Sequence, residues 1–449
     1  MNKKKWALLL LAAILIFGYI KLFYKTYSET YVAKSADCII VLDVKRITNT
    51  LIWNYITTPS QWKPGKLFSK KSNEVSWKDM FVLPDYVFAF HANNQPANAW
   101  YMLLTIKDKK DFEKGLLQFQ FEKINDREQV SKVYGLRFYV QDDKVLIANA
   151  AVADTAYMAA VADELFIQKA YIPKTILAKA IDAKSHLAVY IAANNFLQKE
   201  AVIAANFNKQ KIEVEGIITP GAAYNFTETN FQYSSASLSA AGFTQSLPNM
   251  LNQLSYSYKE KISATLNVPA DSLFRQNNKS YSLDLTAITQ RNDSAISYTY
   301  DEEFNKVEKV VVNNIQEPAF NFMITGDSVS SIYRYLQRNN KIEKTAAGDL
   351  FTPMPLVRSY CSIKNEKQLN ITAFNYTPAT EDIDVNAVFF LNLNLAKIPA
   401  NLQKYLPTGL MKAVSNIATV KLSATKNNDQ VLFSAVFEKM KNDLSILNF

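Results

Sequence analysis

The sequence predicts an α+β protein: an N-terminal transmembrane helix followed by a large, mostly antiparallel β-sheet ectodomain with packed helices and repeated strand–helix units. Three observations carry that expectation. An uncharged run of fifteen residues, "WALLLLAAILIFGYI", stands between the lysines of "MNKKK" and "KLFYK". Several later segments alternate apolar and polar residues at period two, the mark of half-buried strands. Strands also follow one another without intervening helices, which requires much of the sheet to be antiparallel.

The apolar run comes first. Residues 6–23 are interrupted only by Lys21, and at 1.5 Å per residue they reach about 27 Å, enough to span a hydrocarbon core. Trp6 at one edge, with Tyr19, Phe23 and Tyr24 at the other, fits an aromatic belt. No small-x-small cleavage site follows closely, so the run reads as an uncleaved single-pass anchor. The leading lysines place the N-terminus in the cytoplasm and the ectodomain in the periplasm of a bacterial inner membrane. Lys3, Lys4, Lys5, Lys21 and Lys25 supply five of the nine net positive charges. The remainder is too thin for a nucleic-acid footprint. The domain reading is an anchor over 1–25 and two α+β units over 26–180 and 181–449.

Next come the strands and hairpins. "KIEVEGI" alternates Ile212, Val214 and Gly216 with Lys211, Glu213 and Glu215. "SYSLDLTA" sets Tyr281, Leu283 and Leu285 against Ser282, Asp284 and Thr286. "LRFYVQDDKVLIANA" predicts a hairpin turning at Asp142 and Asp143, and "VKLSATKNNDQVLFSAVFE" another turning through residues 426–429. Helical stripes fall at Phe112, Leu116 and Phe119, at Tyr157, Val161 and Leu165, and at Val329, Ile332 and Leu336, the last capped by Asp327 or Ser328. The polar, proline-tipped residues 338–356 read as a long surface loop.

One layout returns: a short apolar strand, a polar junction residue, then a helix-patterned segment. It occurs at "CIIVLDVKRITNTLIWNYI", "WYMLLTIKDKKDFEKGLLQF", "HLAVYIAANNFLQKEAV", "FNFMITGDSVSSIYRYL" and "AVFFLNLNLAKIPANLQKYL". The junctions are Asp43, Asp108, Asn194 or Asn195, Asp327 and Asn392. Such residues favour caps and turns because their side chains satisfy free backbone N–H groups. Asn stands there as readily as Asp, so Asp43 is read as a cap and not as a catalytic carboxylate.

The anchored start, the unit "ADCIIVLDVKRITNTL" and the closing hairpin running into "KMKNDLSILNF" together resemble uncharacterised membrane-anchored envelope proteins of the Bacteroidetes. The resemblance lies in layout. It implies an α+β, periplasm-facing module and carries no functional residue with it.

The chemistry-bearing residues are few. The two histidines, His91 and His186, sit at strand ends outside any nucleophile setting, and no phosphate-binding, zinc-protease or nucleophile-elbow motif occurs. Glu213 with Glu215, and Asp382 with Asp384, share strand faces roughly 6–7 Å apart, but alternating acids are how a solvent face is written. No cofactor or metal site is expected. Cys38 and Cys361 are the two thiols, and a periplasmic setting permits a disulfide between them. Tyr224, Phe226, Phe231 and Tyr233 could line an apolar groove or fill a core, with residues 227–230 turning the chain to bring the two pairs together.

The function expected is that of a non-enzymatic, membrane-anchored envelope protein. Its ectodomain would bind a protein partner or an apolar envelope component such as lipid. The alternative is an extracytoplasmic hydrolase with an unrecognised carboxylate site.

Overall fold

The computed structural model describes residues 24–57, 74–149, 155–222, 224–245, 260, 263–264, 268–273, 278–300, 302–354, 357–377, 382–398 and 417–440. The chain forms two compact units that divide between Thr219 and Pro220.

The first unit is built on one antiparallel sheet. Its strands are β1 (Ala36–Asp43), β2 (Phe81–Val82), β3 (Tyr86–Ala92), β4 (Tyr101–Ile106), β5 (Glu122–Lys123), β6 (Glu128–Ser131), β7 (Leu136–Gln141), β8 (Lys144–Asn149), β9 (Leu187–Ile191), β10 (Ala201–Phe207) and β11 (Lys211–Ile218). They lie in the order β5–β6–β7–β8–β4–β3–β1–β9–β10–β11, with β2 alongside β4. Helices α1 (Val44–Ile56), α2 (Lys109–Gln118), α3 (Thr155–Ala162) and α4 (Lys174–Ile181) accompany the sheet. Ile39, Val41, Phe90, Leu103 and Leu146 pack with Met158, Val161 and Leu177 of α3 and α4. Phe138, Val145 and Ile147 pack with Phe112 and Leu116 of α2 in a second cluster. Leu146 joins one cluster while its neighbours join the other, so β8 is covered on both faces. That is why "VLIA" reads as an unbroken apolar run.

The strands of the second unit are antiparallel too. The strands are β12 (Thr229–Ser234), β13 (Ser239–Thr244), β14 (Asn278–Tyr300), β15 (Lys306–Gly326), β16 (Ile342–Thr345), β17 (Gly348–Phe351), β18 (Ser359–Lys364), β19 (Gln368–Ala373), β20 (Asp382–Ala387), β21 (Phe389–Asn394), β22 (Ile417–Asn427) and β23 (Gln430–Lys439). Their order is β23–β22–β21–β13–β14–β15–β19–β18–β17–β16, and β12 pairs with β20 as a separate ribbon. Helix α5 (Val329–Arg338) buries Val329, Ile332 and Leu336, the stripe the spacing predicts, against Tyr281, Ile324 and Leu369.

Four expectations are corrected. The transmembrane helix expected over 1–25 falls mostly on residues 1–23, outside the described residues; no helix among the described residues is long and apolar enough to cross a membrane. Lys25, placed above in the anchor segment 1–25, instead folds into the first unit and pairs with Asp43. The second α+β unit does not open at 181, because β9 pairs with β1 and carries β10 and β11 into the first sheet. The loop expected over 338–356 is replaced over residues 342–351 by a hairpin: after α5, β16 and β17 pair, and Gly348 has φ 130°, a conformation other residues resist. The strand–helix layout holds at β1–α1, β4–α2 and β15–α5. At Asn194 the chain makes a turn instead; Asn392 lies inside β21, a 3₁₀ turn (Leu395–Lys397) follows, and the helix-patterned residues 399–406 lie outside the described residues.

Both predicted hairpins form at two-residue turns, with Asp142 at φ 57° between Gln141 and Lys144, and Asn428 at φ 57° between Asn427 and Gln430. Short polar side chains tolerate that left-handed conformation, which matches the twist of the flanking strands.

Candidate functional site

Asp43 ends β1, and α1 starts at the next residue. One carboxylate oxygen accepts the Arg46 amide at 2.8 Å, the N-cap bond expected. The other accepts from Lys25 Nζ, and the carboxylate is nearly inaccessible to solvent. Asp43 is therefore a cap and also half of a buried ion pair. Nearby, Phe207 N donates to His186 Nδ1 at 3.1 Å, so the ring proton sits on Nε2 and is donated to Thr50 Oγ1 at 2.7 Å. Burial holds the His186 pKa below its ordinary value. The imidazole is a neutral structural link between α1 and β10.

The opposite end of β1 borders a cleft of about 600 Å³ lined by Asp37, Cys38, His91, Asn93, Trp100 and Asn194. The register between β1 and β3 skips Asp37, since Ala36 faces Ala92 and Cys38 faces His91. This bulge re-aims the Asp37 side chain. His91 then finds Asp37 Oδ1 at 2.7 Å from Nδ1 and Pro96 O at 3.1 Å from Nε2. Both ring nitrogens are thus held by acceptors of the protein itself. The Cys38 thiol is pushed up to about 11, first by burial and then by the Asp37 charge, so it is protonated at neutral pH and a poor nucleophile. Asn194 spends its carbonyl on the amides of Phe196 and Leu197. The cleft is a recess of mixed polarity in which Cys38 is not an activated nucleophile.

The aromatic stretch is divided by the fold. Phe231 is 1% exposed, with Phe390 at a ring separation of 5.2 Å, and Tyr233 stacks on the same Phe390 at 5.3 Å. Gly242 lies beneath, where a Cβ would collide with both Phe231 and Phe390. Tyr224 and Phe226 are half-buried in the segment before β12 and do not join this cluster. Residues 227–230 do not turn the chain: β12 begins at Thr229 and takes β20 as its partner. Cys38 and Cys361 are both free thiols, so the disulfide is not formed. Cys361 lies in the core of the second unit, where burial and then the Asp349 charge push it up to about 12. Glu213 pairs with Lys211, and Asp384 accepts from Gln232 Nε2 at 2.9 Å; the Asp382 side chain lies outside the described residues. No group of His, Cys, Asp and Glu fit to hold a metal ion occurs among the described residues.

Sequence reasoning missed an exposed apolar feature of the second unit. β14 and β15 pair with each other in register along nearly their whole length. Near the body of the unit, β13 pairs with β14 up to Leu285, and β19 pairs with β15 from Asn321. Beyond those points the two strands run on as a ribbon whose residues 290–300 and 306–314 are almost all exposed. Opposite residues share a face, so Ile296, Tyr298, Tyr300, Val310 and Val312 line one side of this arm, together with Glu308 opposite Tyr298 and Lys306 opposite Tyr300. Ile296 is 61% exposed, Val310 63% and Tyr300 67%, and Phe304 beyond β14 is 85% exposed. Lys306 lies over the Tyr298 ring, 3.9 Å from its centroid. The other face carries Ala295, Ser297, Thr299, Val307, Lys309 and Val311. The signal was present in the alternation of "SAISYTY" and "KVEKVVV", but alternation alone predicts a half-buried strand.

No family model matches the chain, and no curated protein does. Among solved structures, one described as crystal form III of TP0453 aligns with 54% of this chain and 88% of its own at 11% identity. The TM-score is 0.28, a likeness too slight to carry fold or function to this protein.

Proposed function

We propose that this is a non-catalytic binding protein that engages a protein partner through the apolar face of the β14–β15 arm. The observation that carries the reading is the cluster of Ile296, Tyr298, Tyr300, Val310 and Val312, large side chains left uncovered on one face. Soluble proteins keep contiguous apolar faces for partners. A two-stranded ribbon is also marginal by itself, so covering this face would stabilise the arm.

A lipid occupant fits less well. The free edges of the arm expose backbone N–H and C=O groups that hydrocarbon cannot satisfy. Glu302 and Glu303 near the tip would also be repelled by an anionic surface. A protein can bury the aliphatic and tyrosine side chains while leaving those acids wet at its rim.

The test places a photo-crosslinking residue at Val312, on the same face but on β15, in the full-length protein and identifies its adduct in cells. One partner should be captured, its yield falling with Val310→Asp on the apolar face and unaffected by Thr299→Asp on the other. Direct binding of that purified partner should show the same face dependence. Equal loss from both faces, or binding indifferent to Val310→Asp, would overturn the proposal.

A further inference from the structure

The apolar face is small for its proposed task. Seven residues of each strand give a patch roughly 24 Å long and about 10 Å wide, on the order of 250 Å², against roughly 800 Å² per partner for a standard interface. Resting on the reading above, we infer that two copies of this chain join through the outer edge of β14 over residues 294–300. Their arms then make one four-stranded ribbon that doubles the apolar face.

The edge chemistry selects β14 over β15. An isologous antiparallel pairing puts each residue beside its mirror partner about a two-fold axis. Centred on Ser297, the β14 edge sets Ser297 against Ser297 of the second copy, Ile296 against Tyr298, Ala295 against Thr299 and Ser294 against Tyr300. No charge occurs in "SAISYTY", so no like charges oppose one another over residues 294–300, and the pairing ends there because the same register would next set Asp293 against Asp301. The opposite residues also agree in face, and Ile296 and Tyr298 of both copies extend the same apolar side. The matching arrangement on β15, centred in "KVEKVVV", would set Lys309 directly against Lys309, which is destabilising. Lys306, Glu308 and Lys309 protect that edge as charges commonly do, and Pro318 near its base lacks an N–H to donate. β14 has no such protection. Its backbone groups on the outer side are unpaired beyond Leu285 among the described residues, and a long, uncharged, β-prone edge is the kind that recruits another strand.

The geometry can be tested at the two-fold axis. Directly opposed residues in antiparallel strands have Cα atoms about 4.5–5.5 Å apart, within disulfide reach. Under mild oxidation, Ser297→Cys should therefore form a covalent dimer that wild type and Lys309→Cys do not. Ala295→Cys, which faces Thr299, should crosslink far less. In sedimentation the wild type should be a dimer, and Ser297→Lys should weaken it by roughly tenfold or more by opposing like charges. Mixing Ser297→Lys with Ser297→Glu should restore it. A wild type that sediments as a monomer, or Ser297→Cys crosslinking no better than Lys309→Cys, would overturn the inference. Val310→Asp lies away from this edge and should leave the dimer intact, so loss of the partner and loss of the dimer can be told apart.

Discussion

Asp43 joins two roles that the sequence separates. As a cap alone, Asp43→Asn would cost little, because Asn caps as well as Asp. The Lys25 pair changes that expectation. Asn leaves a largely buried ammonium without its counter-charge, and with a fifth of the Lys25 side chain still exposed the cost should be about 2 kcal/mol rather than the full buried-pair penalty. Urea unfolding of Asp43→Asn, Lys25→Met and the double variant should show the two losses to be strongly non-additive; simple additivity would mean the pair contributes nothing. His186 gives a pH dependence with a definite sign. Its folded pKa is depressed, so the unfolded chain takes up a proton near 6.5 that the folded protein refuses. Stability should fall as pH drops through about 6.5, and His186→Gln should flatten that part of the curve. An unchanged slope would mean the ring is accessible to protons in the folded state. The thiols respond in the opposite range. With Cys38 and Cys361 raised to about 11 and 12, both should alkylate slowly at pH 8.5 in the folded protein and quickly in urea. Fast folded-state labelling at either position would contradict the burial described.

At the scale of elements, local pattern was a good guide wherever an element's own residues decide it. The α5 stripe, the Asp108 cap, which accepts the amides of Lys110 and Asp111 at 2.8 and 3.0 Å, and both two-residue hairpin turns were legible for that reason. Elements whose pattern admits more than one neighbour were not. Asp284 alternates onto what reads as a polar face of β14. In the fold it is buried and accepts hydrogen bonds from Ser234 N, Ser237 Oγ and the Tyr376 hydroxyl. The aromatic stretch was open between groove and core until β20 paired with β12 and seated Phe231 over Gly242. Phe231→Ala should therefore cost about 3–5 kcal/mol in chemical denaturation; a loss below about 1 kcal/mol would show that the side chain is not packed in a core. The arm predicts the reverse. Replacing residues 290–316 with a two-residue Asn-Gly turn removes no residue of any buried cluster. The melting temperature should stay within a few degrees of the wild type, with partner binding abolished. A collapse in stability would make the arm part of the scaffold.

For the whole molecule, two units with separate buried clusters imply that core losses in one are independent of losses in the other. Phe138→Ala in the first unit and Phe231→Ala in the second should sum to within about 0.5 kcal/mol when combined; a larger coupling would show the cores to be mechanically linked. What the sequence determined by itself was the kind of structure: antiparallel strands alternating with capped helices, the tight hairpins, and the absence of a recognisable catalytic motif. Those are local consequences of side-chain periodicity and turn stereochemistry. Only the tertiary structure decided that β9 closes beside β1, moving the boundary to Thr219. It also decided that β20 covers Phe231, and that β14 and β15 continue past every neighbour and leave an apolar face uncovered. The physical reason is shared. A period-two pattern says that a strand has two unlike faces, but which face is covered, and by what, depends on pairings between residues far apart in the chain.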